Sequence, residues 1–218
     1  MHALAVLGIM EYRTKEEQVA DHLREAILSG RLPRGARLKQ LDIARDLQLS
    51  ITPVREALRL LEAEGYVESG SYRGATVAPF DAAASAEVLN LRMLLEAELV
   101  RALAGRLGRR ELEELHALAR EFAEAAARGE NERTRAANYR LHRRMYDMAQ
   151  LPRTLHLVQI LWARYPFDLI NRIPGRTRRA AAEHGAILER LARGDGEGAV
   201  AATRRHIEEG WKELRGES

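Results

Sequence analysis

The sequence predicts a mainly α protein, in which an N-terminal winged helix-turn-helix with a small β-hairpin wing is followed by an all-α helical bundle. Three observations support this fold class. Residues 38–67 read as two short helices joined by a tight turn. The residues that follow read as two short strands around a glycine-rich tip. Beyond residue 82, apolar residues recur at helical spacing and the alternation typical of strands is not seen.

The first predicted helix has clear signals at both ends. Thr14 and Glu17 have the spacing of a capping box, in which each side chain accepts a hydrogen bond from the other residue's backbone amide. Ser29-Gly30 ends the helix, and residues 32–35 form a turn. The apolar face between these signals consists of Val19, Leu23, Ala26 and Ile27.

The second helix of the helix-turn-helix is predicted to begin near Thr52-Pro53. Proline suits the first turn of a helix, and Thr52 or Ser50 can cap the unpaired amides there. Arg55 and Arg59 lie one turn apart, on the face opposite the apolar residues. An exposed helix with an arginine near its N-terminus is what reading of the DNA major groove requires, so DNA is the first candidate ligand. The apolar face consists of Val54, Ala57, Leu58 and Leu61.

A short hairpin is predicted after this helix. Glu64-Gly65 ends the helix, residues 66–68 and 75–78 read as strands, and residues 70–74 form the tip. An ordinary amphipathic helix with solvated arginines is the competing interpretation of this region. The agreement of cap, turn, helix and wing favours the winged helix-turn-helix.

Composition limits the class of protein. The chain has 218 residues, of which 46% are hydrophobic and 31% charged, and this balance excludes disorder of the whole chain. It has no cysteine, so disulfides and thiolate metal ligands are excluded. Residues 1–13 are predicted to be a loose or partner-contacting extension and not a signal peptide. No stretch is long enough to cross a membrane, so a cytoplasmic location without membrane contact is expected.

Charge gives little indication of a DNA-binding face. The first 80 residues contain equal numbers of basic and acidic residues, although the whole chain carries a formal net charge of +3. Electrostatic attraction to DNA must therefore come from local clusters such as Arg31, Arg34, Arg37 and Lys39. An isolated head of this kind is expected to bind weakly, so that a dimer on two half-sites is needed.

The second half is predicted to be a bundle of six helices. The boundary lies at residues 78–81, and glycines or prolines separate the helices. The first of these helices is predicted to bury Val88, Leu91, Leu95, Leu99 and Leu103. The six helices lie near residues 82–106, 109–128, 131–149, 152–171, 176–193 and 196–215.

Three histidines are the main chemical signal in the bundle. His184 shares an apolar stripe with leucine and isoleucine residues, His142 lies one turn after Asn138, and His206 lies beside the core stripe of the last helix. Three imidazoles that converge in a bundle core could bind an ion of the Zn, Ni or Mn class. A histidine on an apolar face is more often a hydrogen-bonded core residue, so the spacing alone favours that interpretation for each histidine taken singly.

The N-terminal region resembles the GntR family of bacterial transcription regulators. The matching segments are residues 35–38, 50–58 (SITPVREAL), 61–67 (LEAEGYV) and 73–74. The chain departs from the family pattern at Ile51, where arginine is usual, and at Gln48, where glycine is usual. A left-handed backbone at Gln48 would cost about 1 kcal/mol.

This resemblance implies a homodimer on a near-palindromic operator, with protein symmetry matching DNA symmetry. It implies that Arg55 reads a base edge, that Thr52 contacts phosphate or base, and that Arg73 at the wing tip reaches the minor groove. The implied DNA-binding residues are Arg37, Ser50, Thr52, Pro53, Arg55, Arg59, Arg73 and Gly74.

The second half is similar to the FCD ligand-binding domain of the FadR subfamily of GntR regulators. The similarity covers residues 82–214 and includes Leu91-Arg92 with Glu96, Asn138 with His142, His184 and His206. Six helices point to the shorter, VanR-like variant. The implied division of the chain is an extension at 1–13, a DNA-binding domain at 14–78, and an effector-binding and dimerisation domain at 79–218.

This second resemblance implies an effector site and a metal site that share residues. Many FCD domains bind a metal through one aspartate and three histidines, and Asn138 occupies the aspartate position here. Arg92 matches the residue that holds an effector carboxylate through its planar guanidinium. The implied metal ligands are Asn138, His142, His184 and His206, and the effector site adds Arg92. Weaker candidates for the same pocket are Arg164, Tyr165 and Asn171.

These observations favour a ligand-responsive transcription regulator, expected to be a repressor, that responds to a small carboxylate and is not an enzyme. A metal-dependent enzyme is the alternative, because three histidines with an open position can activate water. Glu183 is the acid nearest to this cluster in the sequence, and it is expected to point outward, which argues against that alternative. A constitutive nucleoid or architectural DNA-binding protein is the third possibility.

Overall fold

A computed structural model describes residues 14–70, 74–79, 85–170 and 173–216 of the chain. The first two ranges form a winged helix-turn-helix, here called the head, and the last two form an all-α bundle. This confirms the predicted fold class. The head consists of α1 (Lys15–Leu28), β1 (Arg37–Leu38), α2 (Gln40–Asp46), α3 (Ile51–Ala63), β2 (Val67–Gly70) and β3 (Gly74–Val77).

The wing is part of a three-stranded antiparallel sheet. The strand order is β1-β3-β2, and Thr76 of β3 lies opposite Arg37 on one side and Glu68 on the other. The sequence analysis did not predict β1, because a two-residue strand has no alternation that could be recognised. By pairing with β3, β1 attaches the wing to the segment that leads into α2.

The helix-turn-helix is formed much as predicted. Thr14 and Glu17 make both hydrogen bonds of the capping box of α1. Helix α3 begins at Ile51 with Ser50 as its N-cap residue, but the Ser50 side chain makes no capping hydrogen bond. Gln48, in the turn between α2 and α3, has a φ of 55°, the left-handed conformation that favours glycine.

The bundle contains a helix break that the sequence analysis missed. The predicted helix over residues 152–171 ends at Ala163, and a separate single turn follows Pro166. Proline cannot donate the backbone hydrogen bond that would continue the helix, and it disfavours helical backbone in the residue before it. The bundle consists of α4 (Ser85–Leu103), α5 (Arg109–Ala127), α6 (Asn131–Asp147), α7 (Pro152–Ala163), α8 (Phe167–Ile170), α9 (Arg176–Ala192) and α10 (Gly196–Arg215).

Helix α4 buries a polar pair where the apolar pattern predicted a leucine. Leu91 was predicted to be in the core, but it is 39% exposed. Arg92 and Glu96 are buried instead, between Val88 and Leu99 on the inner face of the helix. The two opposite charges at i and i+4 neutralise each other, and this allows them to replace apolar residues in the core.

The head packs closely against the bundle. Tyr66 of the head is buried, and its hydroxyl donates a 2.7 Å hydrogen bond to the carbonyl of Gln159 in α7. Arg140 of α6 forms a 2.6 Å ion pair with Glu25 of α1. One continuous apolar core extends from α1 and α3 into α4, α6 and α7. A substitution at this interface is therefore expected to alter the packing of both the head and the bundle. Among the helices of the described residues, none combines the length and apolar character that crossing a lipid bilayer requires.

Candidate functional sites

Helix α3 presents an exposed polar face while its other face anchors it. Val54, Ala57, Leu58 and Leu61 are buried against the rest of the head. Thr52, Arg55 and Arg59 are exposed on the opposite face, and Pro53 is half-buried in the first turn. The Arg55 and Arg59 side chains are 49% and 67% exposed, and both contact the carboxylate of Glu56, at 3.4 and 3.2 Å. Exposed ion pairs of this kind are weak, so a phosphate or a base edge can replace Glu56 as their partner.

The other predicted DNA-binding residues come from the start of α3, from β1 and from the wing. Ser50 is exposed at the start of α3, Arg37 is exposed in β1, and Gly74 begins the wing strand β3. Arg73 lies outside the described residues. Arg34 does not fit the predicted basic cluster, because its guanidinium donates to the carbonyls of Ala78 and Tyr165, at the junction of head and bundle.

A buried ion pair organises the centre of the bundle. Arg92 is 4% exposed and its Nε donates a 2.6 Å hydrogen bond to Glu96, which is fully buried. The Glu96 carboxylate also accepts hydrogen bonds from Trp162 Nε1 at 3.0 Å and from the Tyr146 hydroxyl at 2.7 Å. Burial opposes the charge of Arg92, but the charge and hydrogen bond of Glu96 outweigh it and raise the pKa of Arg92.

Aromatic rings fix the Arg92 guanidinium from one side. Its central carbon lies 4.0 Å from the centre of the Tyr165 ring and 4.9 Å from that of Phe167. Both distances are within the range of cation–π attraction. Tyr165, a weaker candidate from the sequence, thus orients the predicted carboxylate-binding residue.

The three predicted histidines come together on the inner faces of α6, α9 and α10. His142 Nε2 and His184 Nε2 are 3.1 Å apart, and one nitrogen from each of the three rings lies within 4.8 Å of the others. Burial lowers the pKa of His142 to about 4. Burial and the neighbouring histidines lower the pKa of His184 and His206 well below the usual value. All three rings are therefore neutral at pH 7, as metal ligation requires.

Neighbouring side chains fix the tautomers of two of these rings. Because the Tyr146 hydroxyl donates to Glu96, its oxygen accepts from His142 Nδ1, 3.3 Å away. This leaves the lone pair of His142 on Nε2, towards His184. The His206 Nδ1 lies 2.6 Å from the Glu183 carboxylate, a contact that requires the proton on Nδ1 and leaves the lone pair on Nε2. Such outer partners are typical of histidines that bind metals.

The prediction that Glu183 points outward was wrong. Its carboxylate forms two hydrogen bonds with the buried Arg176, at 2.7 and 2.8 Å, and the third contact with His206. Arg176 comes from the first turn of α9 and also donates to the backbone carbonyl of His206. These contacts between helices turn Glu183 inward, and the order of residues along α9 could not show them.

The three histidines could together hold a divalent ion. Two ligands that are each about 2.0–2.1 Å from one ion stand roughly 3.0–3.4 Å apart, and His142 and His184 already have such a separation. The Nδ1 of His184 is buried and has no hydrogen-bond partner among the described residues, so the outer support of this third ring is incomplete. In the metal-bound protein, His142, His184 and His206 would supply nitrogen and Asn138 a carbonyl oxygen.

A small cavity connects these residues with the head. Its polar wall is formed by Arg92, Asn138, His142 and His206, and its volume is about 30 Å³, roughly the space of one water molecule. His184 contacts His142 but does not itself line the cavity. Head residue Leu28 also lines the cavity, together with Arg135, Tyr139, Trp162 and Phe167 of the bundle.

A second cavity of about 70 Å³ adjoins the first at the junction of head and bundle. Leu28, Arg135 and Phe167 line both cavities and separate them. Arg135 Nε donates a hydrogen bond to the carbonyl of Ser29, the residue that ends α1. The guanidinium lies beside Gly30, whose φ of 80° is in the left-handed region that favours glycine. The same arginine thus lines both cavities and contacts the end of a head helix.

Several residues of this site were not predicted from the sequence. The i, i+4 spacing of Arg92 and Glu96 was a signal for their ion pair. Arg135, Trp162 and Phe167 carried no such signal. Of the weaker candidates, Arg164 lies near Gly65 of the head, and Asn171 lies outside the described residues.

Comparisons with known proteins agree with both halves of the chain. Residues 15–77 match the family described as bacterial regulatory proteins, gntR family, and residues 87–209 match the FCD domain. The chain is 32% identical over 201 residues to the probable D-xylose utilization operon transcriptional repressor of Paenarthrobacter nicotinovorans, covering 89% of this chain and 86% of that protein. It is 27% identical to the HTH-type transcriptional regulator McbR of Escherichia coli K12, covering 88% of each.

Solved structures show the same architecture. The structure of E. coli McbR/YncC superposes with a TM-score of 0.80 at 25% identity, covering 94% of this chain and 99% of that one. A GntR transcriptional regulator from Rhodococcus sp. RHA1 superposes with a TM-score of 0.70 at 22% identity, covering 94% of this chain and all of that one, and this likeness concerns the fold alone.

The alternative of a metal-dependent enzyme does not agree with these relatives, which are transcription regulators. The head accounts for DNA binding, and the histidine cluster lies in the part of the chain that matches the FCD domain. The chain belongs to the GntR family of bacterial regulatory proteins, and it is a DNA-binding transcription regulator with an FCD domain.

Proposed function

We propose that this protein is a dimeric repressor whose bundle binds a small carboxylate together with a divalent ion, and that this binding changes its affinity for an operator. The observation that carries the proposal is the cavity walled by Arg92, Asn138, His142 and His206 and lined also by Leu28 of the head. The proposal divides the chain into an extension at 1–13, a DNA-binding domain at 14–78 and an effector and dimerisation domain at 79–218.

In this proposal, α3 enters the major groove. Arg55, in its second turn, reads a base edge, and Thr52 near its N-terminus contacts phosphate or base. Arg59 lies one turn further along the same exposed face and contacts the phosphate backbone of the DNA. Ser50 and Pro53 at the start of α3, Arg37 in β1, and Arg73 and Gly74 of the wing complete the proposed interface.

The proposed dimer forms through the bundle. Leu94 is 59% exposed and Leu91 39% exposed on the outer face of α4, where burial against a second copy would remove apolar surface from water. A two-fold axis in this region would place two heads for two half-sites of a near-palindromic operator. The P. nicotinovorans relative is named as a repressor, which favours the same sign here.

The proposed coupling runs through Arg135 and Leu28. A ligand with several heavy atoms needs more room than the first cavity offers, and the adjoining cavity provides it only if the side chains between them move. Movement of Leu28 or Arg135 changes the contacts of the C-terminal end of α1. If the ligand binds more tightly when the head is in one position than in the other, it favours that position and so shifts the DNA-binding equilibrium.

Selection of operator sequences from random DNA with the full chain tests the DNA-binding part. The selected operator should show two related half-sites, and Arg55→Ala should lose about 1–3 kcal/mol of specific affinity while remaining folded. Arg193→Ala is the matched control, because that arginine is 72% exposed at the end of α9 and pairs only weakly with Glu189. Equal operator affinity of wild type and Arg55→Ala would refute the assigned role of α3.

A further inference from the structure

The proposed metal site lacks a negatively charged ligand from the chain. Three histidines form the cluster and Asn138 lines the adjoining cavity, so the chain offers an ion imidazole nitrogens and an amide oxygen. Glu96 and Glu183 contact Arg92 and His206, but neither acid lines the cavity. Among the described residues, no carboxylate lines this cavity.

The two buried arginines Arg92 and Arg176 near the site already have carboxylate partners without an ion. Glu96 neutralises Arg92 through a 2.6 Å contact, in a pair that is 4% and 0% exposed. Glu183 neutralises Arg176, which is 3% exposed, through two hydrogen bonds. A divalent ion bound to three neutral imidazoles and an amide would therefore bring two uncompensated positive charges into a buried site. Burial of uncompensated charge costs several kcal/mol per charge even after relaxation.

From this charge balance we infer that the ion is held firmly only together with a dianionic chelating ligand, a small dicarboxylate, which supplies the two missing negative charges. This inference rests on the proposed metal and effector function of the same site. One carboxylate of the ligand binds the ion where Asn138 provides only a dipole. The other lies towards Arg92, whose guanidinium lines the same cavity. The ion and the dicarboxylate thus raise each other's affinity by the same factor.

Zn²⁺ affinity with and without malonate tests this inference. The affinity of the full chain is measured at free Zn²⁺ concentrations fixed by a chelator buffer, so that malonate in solution does not change the free ion. Malonate should raise the wild-type affinity for Zn²⁺ at least tenfold, and acetate, with one charge, should raise it less. Zn²⁺ should raise the affinity for malonate by the same factor.

Isosteric variants identify the missing charge. Asn138→Asp should raise the affinity for Zn²⁺ without malonate about 10–100-fold, the range typical of changes at metal sites, and should reduce the effect of malonate. Asn131→Asp adds the same charge to an exposed position at the start of α6 and should change neither value. His184→Ala should bind little Zn²⁺ under any of these conditions.

The outcomes separate this inference from the proposed function. Tight Zn²⁺ binding by the wild type that malonate does not change would overturn the inference and leave the metal site standing. Zn²⁺ binding by Asn138→Asp alone, or by neither protein with malonate present, would overturn the inference and the metal part of the proposed function together. The operator affinity of Arg55→Ala tests the DNA-binding part independently of all these results.

Discussion

Replacing Glu96 by glutamine should destabilise the protein far more than the loss of one exposed ion pair would. The carboxylate is fully buried and accepts hydrogen bonds from Arg92, Trp162 and Tyr146. Glu96→Gln keeps the shape of the side chain but leaves the buried charge of Arg92 without a counter-charge. Removal of one partner of a buried ion pair typically costs about 3–5 kcal/mol, a large part of the roughly 5–15 kcal/mol that keeps a domain folded.

Urea unfolding at pH 7 measures this loss. Glu114→Gln is the matched control, since Glu114 forms a 2.6 Å pair with Arg144 in which both side chains are more than 40% exposed. The control should change the free energy of unfolding by less than about 1 kcal/mol. A loss below about 1 kcal/mol for Glu96→Gln as well would refute the argument that this ion pair organises the core of the bundle.

Three further predictions concern other parts of the molecule. Gln48→Gly should raise the free energy of unfolding by up to about 1 kcal/mol, because glycine adopts the φ of 55° at this position without strain; an unchanged urea midpoint would contradict this. Arg135→Gln should weaken the effect of Zn²⁺ with malonate on operator affinity. Arg140→Gln should preserve that effect, because Arg140 forms an ion pair between α6 and α1 but does not line the cavity. Equal effects in both variants would refute the coupling route. Burial raises the pKa of Tyr66 well above 10. The stability that the protonated Tyr66 contributes is therefore complete below pH 10 and is lost as the pH rises beyond that value. The free energy of unfolding should fall from pH 9 to 11 in the wild type and fall less in Tyr66→Phe.

Local signals in the sequence were sufficient to predict the fold of the head. The capping box of α1, the apolar face of α3 and the hairpin glycines are each encoded within a few residues, and the structure places them as predicted. The break of the fourth bundle helix was also encoded locally, by Pro166. The prediction missed it because the apolar pattern continues on both sides of the proline.

The bundle site depended on contacts between distant segments. The apolar pattern of α4 predicted a buried Leu91, but the core accepts Arg92 and Glu96 because Trp162 and Tyr146 on other helices complete their hydrogen bonds. Glu183 turns inward because its carboxylate accepts hydrogen bonds from Arg176 and His206. Such polar networks satisfy one another only in the folded chain, and the spacing of residues along one helix does not reveal them.

The connection between ligand and DNA is the central claim, and one measurement tests it most directly. Fluorescence anisotropy of a labelled operator gives the affinity of the full chain with and without Zn²⁺ and malonate, for wild type and for His184→Ala. We expect the ligands to change the operator affinity of the wild type by about 5–150-fold, the usual range of allosteric coupling, and to leave His184→Ala unchanged. Equal affinities of the wild type under both conditions, despite bound Zn²⁺ and malonate, would contradict the account.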